Sequence, residues 1–219
     1  MGGPAVGEGT GSRLRVTEVV IDCADHGRVV DFWAAALGYE RRPVNEQYVA
    51  LVPPAVEPGR PPLLFQKVPE PKVVKNRVHL DFRADSMAGE GETATGDGGA
   101  EGARLRVTEV VIDCADHGQV VDFWAAALGY ERRDVNEQYV ALVPPAREPG
   151  RPPLLFQKVP EPKTAKNRVH LDFRAPVMAD EVTRLVRLGA TVLAERSLGD
   201  FSWTVLADPS GNELCVSGG

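Results

Sequence analysis

Residues 104–175 read RLRVTEVVIDCADHGQVVDFWAAALGYERRDVNEQYVALVPPAREPGRPPLLFQKVPEPKTAKNRVHLDFRA, and residues 13–84 repeat them. The copies differ only at Arg28/Gln119, Pro43/Asp134, Val56/Arg147, Val73/Thr164 and Val74/Ala165. Copies this alike mark a recent or engineered duplication, not an old array of three or more units. The 44 residues from Pro176 to Gly219 occur once.

Within each copy the pattern is β-α-β-β-β. Leu14 to Cys23, LRVTEVVIDC, is rich in β-branched residues and predicts a strand. Asp25 is a good N-cap, and Val29, Val30, Phe32, Trp33, Ala36 and Leu37 follow at helical spacing up to Gly38. Tyr39 to Val44, Gln47 to Val52 and Leu63 to Val68 predict three short strands, the last two separated by a Pro-rich turn. Arg77 to Arg83, RVHLDFR, alternates like a strand. Its copy, Arg168 to Arg174, leads into a helix marked by Val182, Leu185, Val186 and Leu188. Three strands follow, with a tight turn at Asp208-Pro-Ser-Gly-Asn212. The sequence thus holds three β-α-β-β-β modules: 14 to about 76, 105–167, and a divergent 168–217, with 77–84 as an orphan strand.

The chain's length suits one large or two small domains, and 43% hydrophobic residues suffice for a core. No apolar run approaches the roughly 20 residues that cross a bilayer, so no membrane partner is expected. Residues 1–12 lack a basic and apolar leader and predict a tail. Residues 85–103, DSMAGEGETATGDGGAEGA, predict a flexible acidic, Gly-rich linker. Glu8, Asp85, Glu90, Glu92, Asp97 and Glu101 account for the whole net charge of −6. The folded parts are formally neutral and offer no basic stripe to a nucleic acid. Three cysteines without a CxxC favour a reducing cytoplasm over a disulfide scaffold.

VVIDCADHGxVVDFWAAALGYERR, LLFQKVPEPKxxKNRVHLDFRA and LADPSGNELCV together resemble the glyoxalase-like branch of the vicinal oxygen chelate superfamily. That superfamily also holds bleomycin-resistance proteins and extradiol dioxygenases. The resemblance implies an α+β fold in which paired βαβββ modules form a curved-sheet cup. It makes 104–219 a complete two-module domain and 13–84 an extra first-half module. In metal-binding members each module offers a ligand from its first strand and one from its last. By position these fall on Glu109 and Gln157, then on His170 and Cys215, with Glu18, Gln66 and His79 as the equivalents in the extra copy. The resemblance thus implies one divalent ion on Glu109, Gln157 and His170. Cys215 departs from the glutamate most metal-binding members carry, and a thiolate would favour softer ions such as zinc.

Each residue also has a plainer reading. His170 alternates onto the same strand face as Asp172 and could be a half-buried strand histidine. Cys215 packs as readily as a small hydrophobe. Tyr139, Phe156 and Trp203 suit either a core or an aromatic cup wall that, with Cys215, holds a small organic molecule. Nothing resembles a nucleophilic triad, a phosphate loop or an HExxH helix, so no catalytic residue is assigned. Three functions remain open: a metal-free small-molecule binder, a metal-dependent lyase, isomerase or dioxygenase, and a structural duplication product. Modules that pair two at a time leave one odd in every chain, which predicts a homodimer.

Overall fold

A computed structural model of the chain describes residues 14–54, 60–84, 105–146 and 151–219. The expected tail (1–12) and linker (85–103) lie outside the described residues. The first copy forms β1 (Arg15–Cys23), α1 (His26–Leu37), β2 (Glu40–Pro43), β3 (Tyr48–Val52), β4 (Leu63–Lys67) and β5 (Val78–Ala84). The second forms β6 (Leu105–Cys114), α2 (Gly118–Leu128), β7 (Glu131–Asp134), β8 (Tyr139–Val143), β9 (Leu154–Lys158) and β10 (Val169–Ala175). The unrepeated segment adds α3 (Met178–Leu188), β11 (Thr191–Leu198), β12 (Phe201–Ala207) and β13 (Glu213–Gly218). None of these helices is long and apolar enough to cross a membrane.

Local chemistry sets the helix ends. Asp25 caps α1 by accepting from the Gly27 amide at 3.1 Å. Gly38 and Gly129 end α1 and α2 at φ 65° and 66°, left-handed values that favour glycine. At the DPSGN turn the Asp208 carboxylate accepts from the amides of Ser210 (2.8 Å) and Asn212 (2.9 Å), which closes the turn.

The two sheets cross between the copies. The larger runs β11-β12-β13-β10-β1-β4-β3-β2, and the smaller runs β5-β6-β9-β8-β7. The third module therefore completes its sheet with the first copy, through the antiparallel β1–β10 ladder. The middle module receives only β5. The sequence groups 104–219 as one paired domain; in the structure β10 to β13 share a sheet with the first copy, and β6 to β9 lie in the other sheet. Because β1 and β6 share a sequence, local sequence could not decide which of them meets β10.

Polar latches repeat the exchange. Lys166 pairs with the buried Asp22, whose backbone carbonyl accepts from Arg168 at 3.3 Å. Reciprocally, Lys75 lies 2.9 Å from the buried Asp113, and Arg77 donates to the Asp113 carbonyl. Each copy thus neutralises a carboxylate that the other buries, and a buried charge persists only when so paired.

The middle and third modules meet through their helices. Arg184 of α3 donates to the carbonyls of Ala126 and Ala127 at the C-terminal end of α2, where a cation also suits the helix dipole. Trp124 is buried, donates from Nε1 to Asp208 at 2.9 Å, and packs on Phe173 with ring centroids 5.7 Å apart.

Candidate functional site

The concave face of the eight-stranded sheet bounds a cavity of about 730 Å³. Copy one contributes Glu18 from β1, Tyr48 from β3 and Gln66 from β4. The third module contributes His170, Asp172, Trp203 and Cys215. Alternation along β10 puts His170 and Asp172 on this face, while Leu171 and Phe173 turn into the core.

The floor centres on β1 and β10. Val20 lies opposite His170, and Glu18 lies opposite Asp172. The register shifts between Val16 and Glu18, leaving Thr17 as a bulge whose hydroxyl donates to the Asp172 carbonyl at 3.2 Å. Donor atoms of His170, Asp172 and Cys215 lie within 4.8 Å of one another. His170 Nε2 stands 3.4 Å from Asp172 Oδ1, an ion-pair distance without hydrogen-bond alignment. Asp172 Oδ1 and His170 Nδ1 are accordingly both buried with no hydrogen-bond partner among the described residues.

Electrostatics make this floor proton-hungry. Burial raises the Glu18 pKa, and the Asp172 carboxylate raises it further, against a smaller lowering by Arg174. Burial also pushes up the Cys215 thiol, followed by the charge of Asp172 and a hydrogen bond to it. Cys215 is therefore a neutral thiol here, not a thiolate. Burial raises Tyr48 as well, followed by Asp172.

The walls and rim combine an apolar, aromatic side on β11 and β12 with the cations Lys166, Arg174 and Arg196. Trp203 and Phe201 pack with ring centroids 5.7 Å apart and planes tilted by 31°. Val44, Leu193, Leu198 and Phe201 line the cavity, and each is exposed by more than 45%.

The sequence placed Glu109, Gln157 and His170 in one ligand set, and the structure separates them. Glu109 and Gln157 lie on the five-stranded sheet, while His170 lies with Glu18 and Gln66. The reason is the crossing of the sheets: of the extra-copy equivalents, Glu18 and Gln66 are the neighbours of His170, whereas His79 lies on the smaller sheet with Glu109. Tyr139 also belongs to the smaller sheet, beside Gln157, and its copy Tyr48 lines the cup. Phe156 is fully buried in the core, because it alternates to the opposite face from Gln157. Trp203 and Cys215 line the cup. Asp172 was not among the candidates, although its alternation with His170 was visible.

The smaller sheet carries the same floor in half. Asp81 lies opposite Glu109, and His79 opposite Val111. Burial and then the Asp81 carboxylate raise Glu109.

A family model described as a glyoxalase-like domain matches residues 18–107 and again 109–217. The crystal structure of glyoxalase I from Zea mays is similar at a TM-score of 0.57 and 14% identity, over 94% of this chain and 92% of that one. Two point mutants of that protein give TM-scores of 0.58 and 0.56 at 14% identity. Both cover 94% of this chain, with 92% and 94% of theirs. At this identity the likeness shows the fold. No curated protein matches the sequence.

Proposed function

Because the chain belongs to the glyoxalase-like domain family of the vicinal oxygen chelate superfamily, we propose that it binds a small organic molecule in the cup between the first copy and the third module. The carrying observation is the floor. Buried, unpartnered polar atoms of His170 and Asp172 converge with Glu18 beneath an aromatic wall. The volume of about 730 Å³ lies within the range of small-molecule sites. Two neighbouring carboxylates, one with a raised pKa, favour a ligand that brings a hydrogen-bond donor or a positive charge. Trp203, Phe201 and Tyr48 suit an apolar or aromatic body. The ligand therefore has a donor-bearing head at the floor and a flat apolar part against β12.

A divalent ion is the second reading, favoured by the proximity of His170, Asp172 and Cys215. A nitrogen, an oxygen and a sulfur donor within 4.8 Å fit a borderline ion such as zinc. Such an ion would polarise a carbonyl or enediol oxygen of the ligand. Cys215 would have to give up its proton on binding, so occupancy should fall steeply with acid.

The test is elemental analysis of protein purified without chelators, paired with native mass spectrometry for a retained organic molecule. A retained organic molecule without metal, lost in Trp203→Ala, supports the first reading. Stoichiometric metal lost in His170→Ala establishes the second. Neither molecule nor metal, together with no Trp203 fluorescence response to a library of aromatic amines, would sink both.

A further inference from the structure

The duplication puts one sequence into two environments. In the second copy, α2 buries Val120, Val121, Phe123, Trp124, Ala127 and Leu128. In the first, α1 buries only Val30 and Leu37. Phe32 is 60% exposed where Phe123 is 2%. The strands repeat the contrast. β5 and β10 both read VHLDFRA, yet Leu171, Phe173 and Ala175 are buried, while Leu80 and Phe82 are half-buried and Ala84 is exposed.

What covers the second copy is the segment from 176 to 219. Arg184 grips the end of α2, Asp208 takes the Trp124 indole, and β13 runs parallel to β10 with Leu214 opposite Leu171. Among the described residues nothing takes that place on the first copy. β5 is the edge of its sheet, and Trp33 stacks on Phe82 at 5.1 Å. An uncovered apolar face beside an open strand edge is a binding surface or a liability.

We propose that the face formed by α1 and β5 is a docking surface for an α-β-β-β segment of the 176–219 type carried by another chain. Its arrival completes a second cup over Glu109, Gln157, Tyr139 and His79. The occupant is specified by the chain itself, because the same residues in the second copy hold that segment through an indole acceptor, a helix-end arginine and a strand in fixed register. Two chains meeting face to face would cover Phe32 but would leave each half-cup without its remaining strands. The inference does not depend on what the first cup binds.

The probe is the fragment Pro176–Gly219 added to the full-length protein. A one-to-one complex is expected, with hydrogen exchange slowed across Val78–Ala84. Phe32→Asp, at an exposed site, should weaken binding about tenfold or more, as for an aromatic anchor at an interface. A single-chain version, with a second copy of residues 176–219 placed directly after Ala84, removes any dependence on fragment solubility. In it the Val78–Ala84 amides should again exchange slowly, and Trp33 emission should shift to the blue. No complex with unchanged exchange in the single-chain version overturns the proposal. So does binding that ignores Phe32→Asp. A mass twice 23.6 kDa for the untreated protein, halved by Phe32→Asp, would make the occupant a second copy and overturn it too.

Discussion

Glu18 of the first copy and Asp172 of the second stand opposite one another across the β1–β10 ladder. Burial raises the Glu18 pKa first, and the facing Asp172 carboxylate, which opposes joint ionisation, raises it further. The folded protein then keeps a proton that the unfolded chain releases above its ordinary value of 4.5. Stability contributed by this group is therefore lost as pH rises from about 4.5 through the folded value. Glu18→Gln should raise Tm at pH 7 by about 1–3 °C, and the gain should vanish by about pH 4. Calorimetry at the two pH values checks this. An equal gain at both would place the effect in packing rather than charge.

His170→Ala and His79→Ala change the same sequence context on different sheets. Only His170 lies in the cavity with Cys215 and Glu18. His170→Ala should therefore weaken ligand or metal binding about tenfold or more, while His79→Ala leaves both unaltered. Titration of the two variants side by side reads this out. Equal losses would mean that the half-cup already binds.

Opening the chain between Ala84 and Leu105 should not separate the copies. These two residues are register partners at the end of the β5–β6 ladder, and β1 holds β10. Residues 1–84 and 105–219 made as separate chains should co-purify as a one-to-one complex. Recovery of a folded 105–219 alone, with 1–84 free, would contradict the crossed sheets.

Trp124→Phe should destabilise the protein by about 1–3 kcal/mol, because it leaves the buried Asp208 carboxylate without its indole donor. Trp33→Phe should cost less, since Trp33 is only half-buried. Urea unfolding of both variants compares them directly. Equal losses would show that the first copy is covered in solution.

All three cysteines are buried with raised pKa values, Cys114 to about 11, and desolvation is the first cause in each. The native protein should resist alkylation at pH 8, whereas the urea-unfolded chain, with ordinary thiols near about 8.5, reacts fully. Rapid native labelling of Cys215 would mean that the cup floor is wetter than its burial indicates.

Much of this was legible in the residues. The β-branched run VVI, the Asp25 cap, the Gly38 stop and the DPSGN turn each act through neighbours a few positions away, so sequence alone locates them. His170 also declared its face, since strand alternation is a local rule. The pairing of sheets was not legible. β1 and β6 carry the same LRVTEVVIDC, so Glu18 and Glu109 have identical local claims on His170. Phe156 suits core or cup wall by residue type, and its neighbour separates the two. Alternation from Gln157 sends it to the core, and the polar glutamine was the better guide to the open face.

The crossing has a consequence for synthesis. Thr108 meets the Asp81 carbonyl across 27 positions of chain, whereas Thr17 meets the Asp172 carbonyl across 155. Closing the longer loop costs about 1.5 kcal/mol more in entropy. It also waits for residues that leave the ribosome several seconds later, at about 5–20 residues per second. β5 therefore claims β6 while β10 is still unmade, and when β10 emerges the open first-strand edge is that of β1. In a chain lacking Val78–Ala84, nascent β10 would meet two identical edges, and newly made protein should divide between two arrangements.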